Sequence, residues 1–139
     1  MPLSREDREK FLAEPHIGAL AVDAGEGRGP LAVPIWYQYE PGGDLWVLTG
    51  RDSRKAALIG RAGRFSLLAE RVDPSIRYVS VEGPVTATAA TTEAELREMS
   101  ARYMPEGKVD AYVEASDLPA LVTFRMRPER WNAADLGSL

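Results

Sequence analysis

Alternation of apolar and polar positions runs through much of the chain and predicts strands. IGALAV (17–22) is an apolar run of strand length, and LAVPIWYQYE (31–40) alternates around Pro34. A Gly-rich segment joins these two runs, and PGGD (41–44) leads into LWVLTG (45–50). Such short turns favour an antiparallel meander, because parallel neighbours require longer crossover connections.

The second half of the chain continues the strand pattern with longer elements. RFSLLAERV (64–72) and the alternating run IRYVSVEGPVTATAA (76–90) predict two more strands, and ALVTFRMRPERW (120–131) predicts the last. The run 76–90 is long enough to bend at Gly83-Pro84. We therefore expect this strand to serve two parts of a sheet.

Two or three short helices are predicted between the strands. Ser4 precedes the helical segment REDREKFLA, and Thr92 with Glu95 forms a capping box ahead of EAELREMSARYM. Another short helix is expected to begin near Ser53. The inventory fits one domain over residues 1–139, mainly β within the α+β class. It predicts a six-stranded antiparallel split β-barrel with short flanking helices.

Composition limits the possible compartments and sites. The 139 residues are 45% hydrophobic, enough for one domain with its own core. The chain has no cysteine and a single histidine, so neither a thiolate zinc site nor a histidine metal cluster is expected. The charged start and the lack of an apolar run near about 20 residues predict a cytoplasmic protein without a membrane anchor.

Charge is distributed unevenly along the chain. The formal net charge is -4 and the pI is about 5.1. Between positions 51 and 77, however, seven basic residues face three acidic ones, a local balance of +4 that leaves -8 for the remainder. A nucleic-acid-binding barrel requires a broad basic face, so this acidic remainder argues against one.

The segment TGRDSRK places Arg51, Arg54 and Lys55 around the start of a predicted helix. The helix dipole carries partial positive charge at this end, where acidic residues would be more favourable. One interpretation is that the three side chains are solvated while Asp52 or Ser53 caps the helix. The other is that the cations, the Ser53 hydroxyl and free backbone N–H groups converge on a phosphate.

Aromatic side chains supply further candidate positions. Trp36 follows Pro34, where an interrupted ladder leaves room for a planar ligand, although such aromatics are also common in cores and dimer interfaces. Tyr78 lies beside Arg77 on the long predicted strand, and one of the two must face inward. Trp131 ends the last predicted strand, where we expect a partner-subunit contact or a lid.

Two other features have ordinary interpretations. GEGRG (25–29) superficially resembles a dinucleotide-binding loop, but it joins two strands and opens no helix, so we predict a hairpin turn. His16 precedes the first strand, and a loop position is favoured over contact with a ligand at the barrel mouth. Neither a Ser-His-acid set nor a convincing carboxylate pair is evident, so no catalytic residue is assigned.

Together these segments resemble the pyridoxamine 5'-phosphate oxidase-like split-barrel superfamily, in particular its small flavin and deazaflavin members. TGRDSRKAAL is similar to the Thr-x-x-x-Ser-x-Lys phosphate segment of that superfamily, with Thr49, Ser53 and Lys55 in register. RYVSVEG is similar to a strand of the deazaflavin (F420) branch. The resemblance covers roughly residues 8 to 131.

The resemblance implies a homodimer with two equivalent cofactor sites at the subunit interface. The cofactor phosphate would lie on four residues of the helix start: Arg51, Ser53, Arg54 and Lys55. The flat ring would rest against two strands, through Pro34, Ile35 and Trp36 on one and Leu48 and Thr49 on the other. Tyr78 and Trp131 would come from the partner or line the substrate side.

The resemblance further implies an oxidoreductase that acts on a small conjugated or quinone-like substrate, with F420 as the first choice of cofactor and FMN as the second. Vitamin B6 oxidation is disfavoured, because the C-terminal segment offers only Arg127 and Arg130 to hold a second phosphate. A non-catalytic protein that binds or stores a flavin, F420 or heme is the alternative. Heme is the less attractive ligand, since His16 is the sole histidine.

Overall fold

Eight strands and four α-helices build residues 1–138, the part of the chain described in this computed structural model. The strands are β1 (Gly18–Val22), β2 (Leu31–Ile35), β3 (Tyr37–Gln38), β4 (Leu45–Gly50), β5 (Arg64–Arg71), β6 (Ile76–Ala90), β7 (Leu121–Met126) and β8 (Arg130–Gly137). The helices are α1 (Arg5–Ala13), α2 (Arg54–Ala62), α3 (Glu93–Tyr103) and α4 (Val109–Ala115), with 3₁₀ turns at Glu106–Lys108 and Leu118–Ala120.

All strand pairs are antiparallel, in the order β2-β1-β5-β6-β7-β4-β3. The first half of β6 lies between β5 and β8, and its second half pairs with β7. This arrangement confirms the predicted mainly β split barrel and the expectation that the strand 76–90 serves two parts of the sheet, with the change of partner next to Gly83-Pro84. Gly83 is required there because a Cβ atom would overlap the carbonyl oxygen of Arg127.

The predicted count of six strands is wrong, and the structure has eight. The segment 31–40 forms two strands because Trp36 leaves the ladder between β2 and β3. The segment 120–131 also divides, since β7 ends at Met126 and β8 begins at Arg130 further along β6. In the connection, which runs beside β6, Arg127 N–H donates to Pro84 O (3.0 Å) and Glu129 N–H to Glu82 O (2.9 Å).

Polar contacts fix β8, which alternation of apolar residues did not predict. The Asp135 carboxylate accepts hydrogen bonds from Ser75 Oγ (2.7 Å), Arg77 Nε (2.9 Å) and Gly137 N–H (2.9 Å). The Ser75 hydroxyl, the Gly137 amide and the Arg77 guanidinium together lower the pKa of Asp135 to about 2. The carboxylate therefore stays ionised at neutral pH and holds β8 beside β6.

The predicted helix starts are confirmed at Ser4, Ser53 and Thr92. Each side chain accepts a hydrogen bond from a backbone N–H of the first turn, and Glu95 completes the capping box with Thr92. Helix α4 was not predicted. Within residues 1–138 no helix combines the length and the apolar character that crossing a bilayer requires.

Side chains from both halves of the sheet and from α1 and α2 fill the barrel interior. The most deeply buried of them are Phe11, Leu12, Leu20, Tyr37, Tyr39, Leu45, Val47, Ile59, Leu67, Val79 and Met126. The outer face of the sheet formed by β2, β1, β5, β6 and β8 carries mainly small or polar residues, with the exposed Leu68 among them. This division places the strand ends, rather than the barrel centre, within reach of a ligand.

Candidate functional site

The corner between β4 and α2, here defined as residues 49–55, is built around Ser53. The Ser53 hydroxyl donates to Gly50 O (2.7 Å) and accepts from Ala56 N–H (3.2 Å), so it joins the end of β4 to the first turn of α2. The backbone N–H of Ser53 also donates to Gly50 O (3.1 Å). The corner is thus a tight turn that aims the helix N-terminus out of the sheet.

The first turn of α2 carries positive charge without an acidic neighbour inside the helix. Arg54 is exposed and Lys55 is half-buried, and neither side chain forms an ion pair within residues 1–138. The first N–H groups of any α-helix lack intrahelical acceptors. Two cations and free N–H groups therefore share one helix end, an arrangement that favours an anion.

Arg51 is held at this corner by the 3₁₀ turn Leu118–Ala120. Its backbone N–H donates to Ala120 O (2.6 Å) and its Nη1 donates to Pro119 O (3.0 Å). The nearest carboxylate, Asp52, lies 3.9 Å from Arg51 Nε on the surface. Carbonyl acceptors orient a guanidinium without neutralising it, so Arg51 keeps its charge beside the helix start.

The three predicted ring-contacting residues of the second strand lie in different environments. Pro34 is exposed and lines an apolar groove of about 330 Å³ on the outer face of β1 and β2, while Ile35 is buried in the core. Trp36 stacks on Tyr103, with ring centroids 4.9 Å apart, and its centroid lies 6.0 Å from that of Tyr112. Side chains of α3 and α4 therefore cover part of the Trp36 ring.

The two predicted ring-contacting residues of β4 point to opposite sides of their strand. Thr49 is 7% exposed on the side that also carries the buried Val47, whereas Leu48 is half-buried on the other side. In the ladder with β7, Leu48 pairs with Thr123. Of these two side chains, Leu48 is the more accessible to a ligand.

Tyr78 and Trp131 are not brought together, although they lie on neighbouring strands. The Tyr78 hydroxyl donates to Asn132 Oδ1 (3.4 Å) on one side of β8, and Trp131 lies on the other. Trp131 contacts its own chain, edge-on to Tyr39 with a centroid distance of 6.0 Å and under the Arg8 guanidinium at 4.6 Å. The expected partner contact or lid role of Trp131 remains a prediction.

A hydrogen-bond network that sequence analysis missed supports the Trp36 region. The Tyr103 hydroxyl lies 2.7 Å from His16 O and 2.9 Å from Tyr37 O, and it accepts from Tyr37 N–H at 3.2 Å. Arg102 donates to Ala13 O (2.8 Å) and to Glu14 O (2.7 Å). No local pattern signals these contacts, because the partners are far apart along the chain.

His16 and the GEGRG segment have the ordinary roles that the sequence favoured. The His16 ring stacks on Phe11 at 4.3 Å, and its Nε2 lies 3.1 Å from Phe11 O and 3.3 Å from Glu14 Oε1. Gly25 and Gly27 adopt positive φ in the turn between β1 and β2. Residues 1–138 contain no group of three or more histidine, cysteine or carboxylate side chains placed to hold a metal ion.

Comparison with known proteins gives one family match. The family model described as Pyridoxamine 5'-phosphate oxidase matches residues 4–135, which is nearly the whole chain. A search of curated proteins gives no significant match.

Several solved structures share the fold. An F420 reductase is 22% identical, with a TM-score of 0.75 over 89% of this chain and 94% of its own. A conserved hypothetical protein from Mycobacterium tuberculosis is 26% identical, with a TM-score of 0.74 over 96% and 85%. The heme storage protein HutZ from Vibrio cholerae is 16% identical, with a TM-score of 0.67 over 99% and 98%. The likeness to the reductase and to the heme storage protein shows the fold alone.

Proposed function

Because the chain belongs to the pyridoxamine 5'-phosphate oxidase family, we propose that its β4–α2 corner binds the phosphate of a flavin-type cofactor. F420 is our first choice and FMN our second. The proposed activity is that of an oxidoreductase, with hydride transfer between the bound cofactor and a small conjugated or quinone-like substrate. The proposed cofactor-binding residues are those predicted from the sequence: Pro34, Ile35, Trp36, Leu48, Thr49, Arg51, Ser53, Arg54, Lys55, Tyr78 and Trp131.

The positive charge at the start of α2 is the observation that carries the proposal. A helix N-terminus with Arg54 and Lys55 in its first turn, and with no acidic residue there, is electrostatically unfavourable by itself. A phosphate would offset that charge and accept from the free N–H groups. Arg51, oriented by Pro119 O, adds a third cation on the same corner.

The corner residues fit a phosphate group in their chemistry. Ser53 has one hydroxyl proton, now donated to Gly50 O, which rotation of the side chain would make available to an anion. Pro34 is exposed, and Trp36 and Leu48 are half-buried, so these three apolar residues of the ring-contacting set would contact a flat ring system. When bound, a flavin or deazaflavin supplies the hydride chemistry, and the protein positions it.

A non-catalytic carrier is the second candidate. It is favoured by the lack, within residues 49–55, of any histidine or of a carboxylate pair for acid–base work. The heme version is less favoured, because His16 is packed against Phe11 and its Nε2 faces Phe11 O and the Glu14 carboxylate. The carrier and the enzyme hypotheses use the same cofactor site. They differ in whether the loaded protein reduces an electron acceptor.

Equilibrium titration of the purified protein with F420 and with FMN, followed by fluorescence, tests the proposal. We expect saturable binding of at least one cofactor, with F420 the tighter. Reduction of a quinone acceptor by the loaded protein would support the enzyme, and binding without turnover on quinone and nitroaromatic acceptors would support the carrier. If neither cofactor binds, the phosphate assignment of the corner is wrong.

A further inference from the structure

A second cavity, with a volume of about 290 Å³, lies at the opposite end of β4 from the β4–α2 corner. It is bounded by α1, by the turn between β3 and β4, and by the connection between β7 and β8. From Leu45 to Gly50, β4 advances about 17 Å at roughly 3.3 Å per residue. The cavity is therefore a separate place in the fold, here called the α1 cavity.

The first carboxylate of the α1 cavity, Glu9, is already engaged. Its Oε1 accepts from the Tyr39 hydroxyl (3.0 Å) and from Gly42 N–H (2.9 Å), and its Oε2 accepts from Arg5 Nε (3.3 Å). Burial raises the pKa of Glu9, but the Tyr39 and Gly42 hydrogen bonds outweigh it and leave the pKa below its usual value. Glu9 is therefore ionised, and both of its carboxylate oxygens already accept hydrogen bonds.

The other charged residues of the α1 cavity also have partners, with one exception. Asp44 accepts from the Thr86 hydroxyl (2.7 Å), and Arg127 donates to Glu129 (2.9 Å). The exception is Arg8, which forms no ion pair within residues 1–138. Three arginines line the cavity, and Arg8 is the one among them without a carboxylate partner within residues 1–138.

Arg8 is unusually placed for a cation without a counter-ion. Its guanidinium lies 4.6 Å from the Trp131 ring centroid, and its Nε is buried without a hydrogen-bond partner in the described chain. The indole face attracts the guanidinium but accepts no conventional hydrogen bond from Nε. A buried charged donor without an acceptor is unfavourable, so such a group commonly marks a ligand or a functional role.

We propose that the α1 cavity binds a small organic anion, with its carboxylate or phosphate held by Arg8 and its apolar body placed among Tyr39, Pro128 and Trp131. The planar fork of a guanidinium matches both kinds of oxyanion in a bidentate geometry. The Trp131 ring, 4.6 Å from the guanidinium, supports the Arg8 side chain before the ligand arrives. This site shares no residue with the β4–α2 corner, and Trp131 is the one residue that it has in common with the proposed cofactor-binding set. The proposal requires that Trp131 contacts the anion and leaves the cofactor to the corner.

Titration of the ¹⁵N-labelled protein with benzoate and with phenyl phosphate, followed by NMR, tests the site. We expect saturable shifts of the Gly42 and Gly43 amides and of the Trp131 indole N–H, which a Trp131→Phe variant identifies. The Lys55 and Ala56 amides at the corner should stay unchanged with benzoate. Tighter binding of benzoate would indicate a carboxylate ligand, and tighter binding of phenyl phosphate would indicate a phosphate ligand. Benzamide is the neutral control.

Charge and geometry at Arg8 are tested separately by two variants. Arg8→Gln should weaken binding of the preferred anion by about tenfold or more, the scale of a lost charge-assisted contact. Arg8→Lys keeps the charge without the planar fork and should bind with intermediate affinity. The exposed Lys10→Gln variant removes one charge from the same helix and should change affinity by less than about twofold.

Three results would overturn the proposal: benzamide shifts equal to those of benzoate, no saturable shift with either anion, or unchanged affinity in folded Arg8→Gln. Should the Arg8 variants fail to fold, the exposed Arg127→Gln variant replaces them and must also weaken binding. Repeating the benzoate titration with saturating FMN separates the two sites. Competition between FMN and benzoate would contradict a separate anion site in the α1 cavity. If FMN does not bind, the cofactor proposal fails, and the benzoate titration still tests the cavity by itself.

Discussion

Two basic residues lie at the start of α2, where the helix dipole already carries partial positive charge. Arg54 and Lys55 occupy the positive pole, where each unfavourable cation costs about a few tenths of a kcal/mol. That cost is small enough for a surface cluster to persist without any ligand. The effect of one of these charges on cofactor affinity therefore tests whether the cluster binds an anion.

Lys55→Ala should weaken binding of the preferred cofactor by about 1.5–3 kcal/mol, the scale of a charge-assisted contact. The free energy of unfolding should be nearly unchanged, because Lys55 forms no ion pair within residues 1–138. Fluorescence titration and urea unfolding measure the two quantities. Arg61→Ala, at the other pole of α2, is the matched control. Equal cofactor affinities for the wild type and Lys55→Ala would contradict the assignment of a phosphate to this corner.

Strand β6 is the element on which the architecture depends. It pairs with β5 and β8 through its first half and with β7 through its second, so one strand belongs to both parts of the barrel. The change of partner occurs where the Arg127 carbonyl lies close to Gly83 and the Arg127 N–H donates to Pro84 O (3.0 Å). The absence of a side chain at Gly83 allows this close approach.

Gly83→Ala should destabilise the fold by more than about 3 kcal/mol, because the added methyl group overlaps backbone atoms that cannot move independently. The matched control is Gly60→Ala in α2, where a Cβ meets no atom within 4 Å. That change should stabilise the helix by up to about 1 kcal/mol. Urea unfolding compares the two variants, and a Gly83→Ala protein as stable as wild type would refute the steric account.

At the scale of the whole molecule, one side of the barrel is a five-stranded face that no helix within residues 1–138 covers. A row of facing residues crosses it through the strand registers: Pro34, Ala19, Leu68, Ser80 and Asn132. Leu68 is 37% exposed at its centre, and Ile17 beside it is 55% exposed. Small side chains around an exposed apolar centre allow a second sheet to approach closely. We propose that this face is where two copies of the chain associate.

Sedimentation equilibrium should therefore give about twice the 15.2 kDa mass of one chain. Leu68→Arg should shift the protein towards monomer, because the interface would have to bury an unpaired charge. Ala115→Arg, at an exposed position ending α4, should leave the mass unchanged. A wild-type protein that sediments as a monomer across the micromolar range would contradict the proposed homodimer.

The pattern of the sequence was informative wherever a structure depends on neighbours along the chain. Strand alternation, the glycine turn at 25–29 and the caps at Ser53 and Thr92 are local, and the structure confirms them. Helix α4 also carried a local signal, since Val109, Tyr112 and Val113 have helical spacing. Its pattern was simply too short to outweigh the surrounding polar residues.

The sequence by itself determined the strand-rich class, the long strand β6 that serves two parts of the sheet and the cationic start of α2, because backbone propensity, capping and charge act over a few residues. Tertiary structure alone decided that Tyr103 would cover Trp36, that Pro119 would orient Arg51 and that Arg8 would lie over Trp131 without a counter-ion. Each of these contacts joins segments distant in sequence. Such pairings follow from how the sheet closes, and no local pattern encodes that closure.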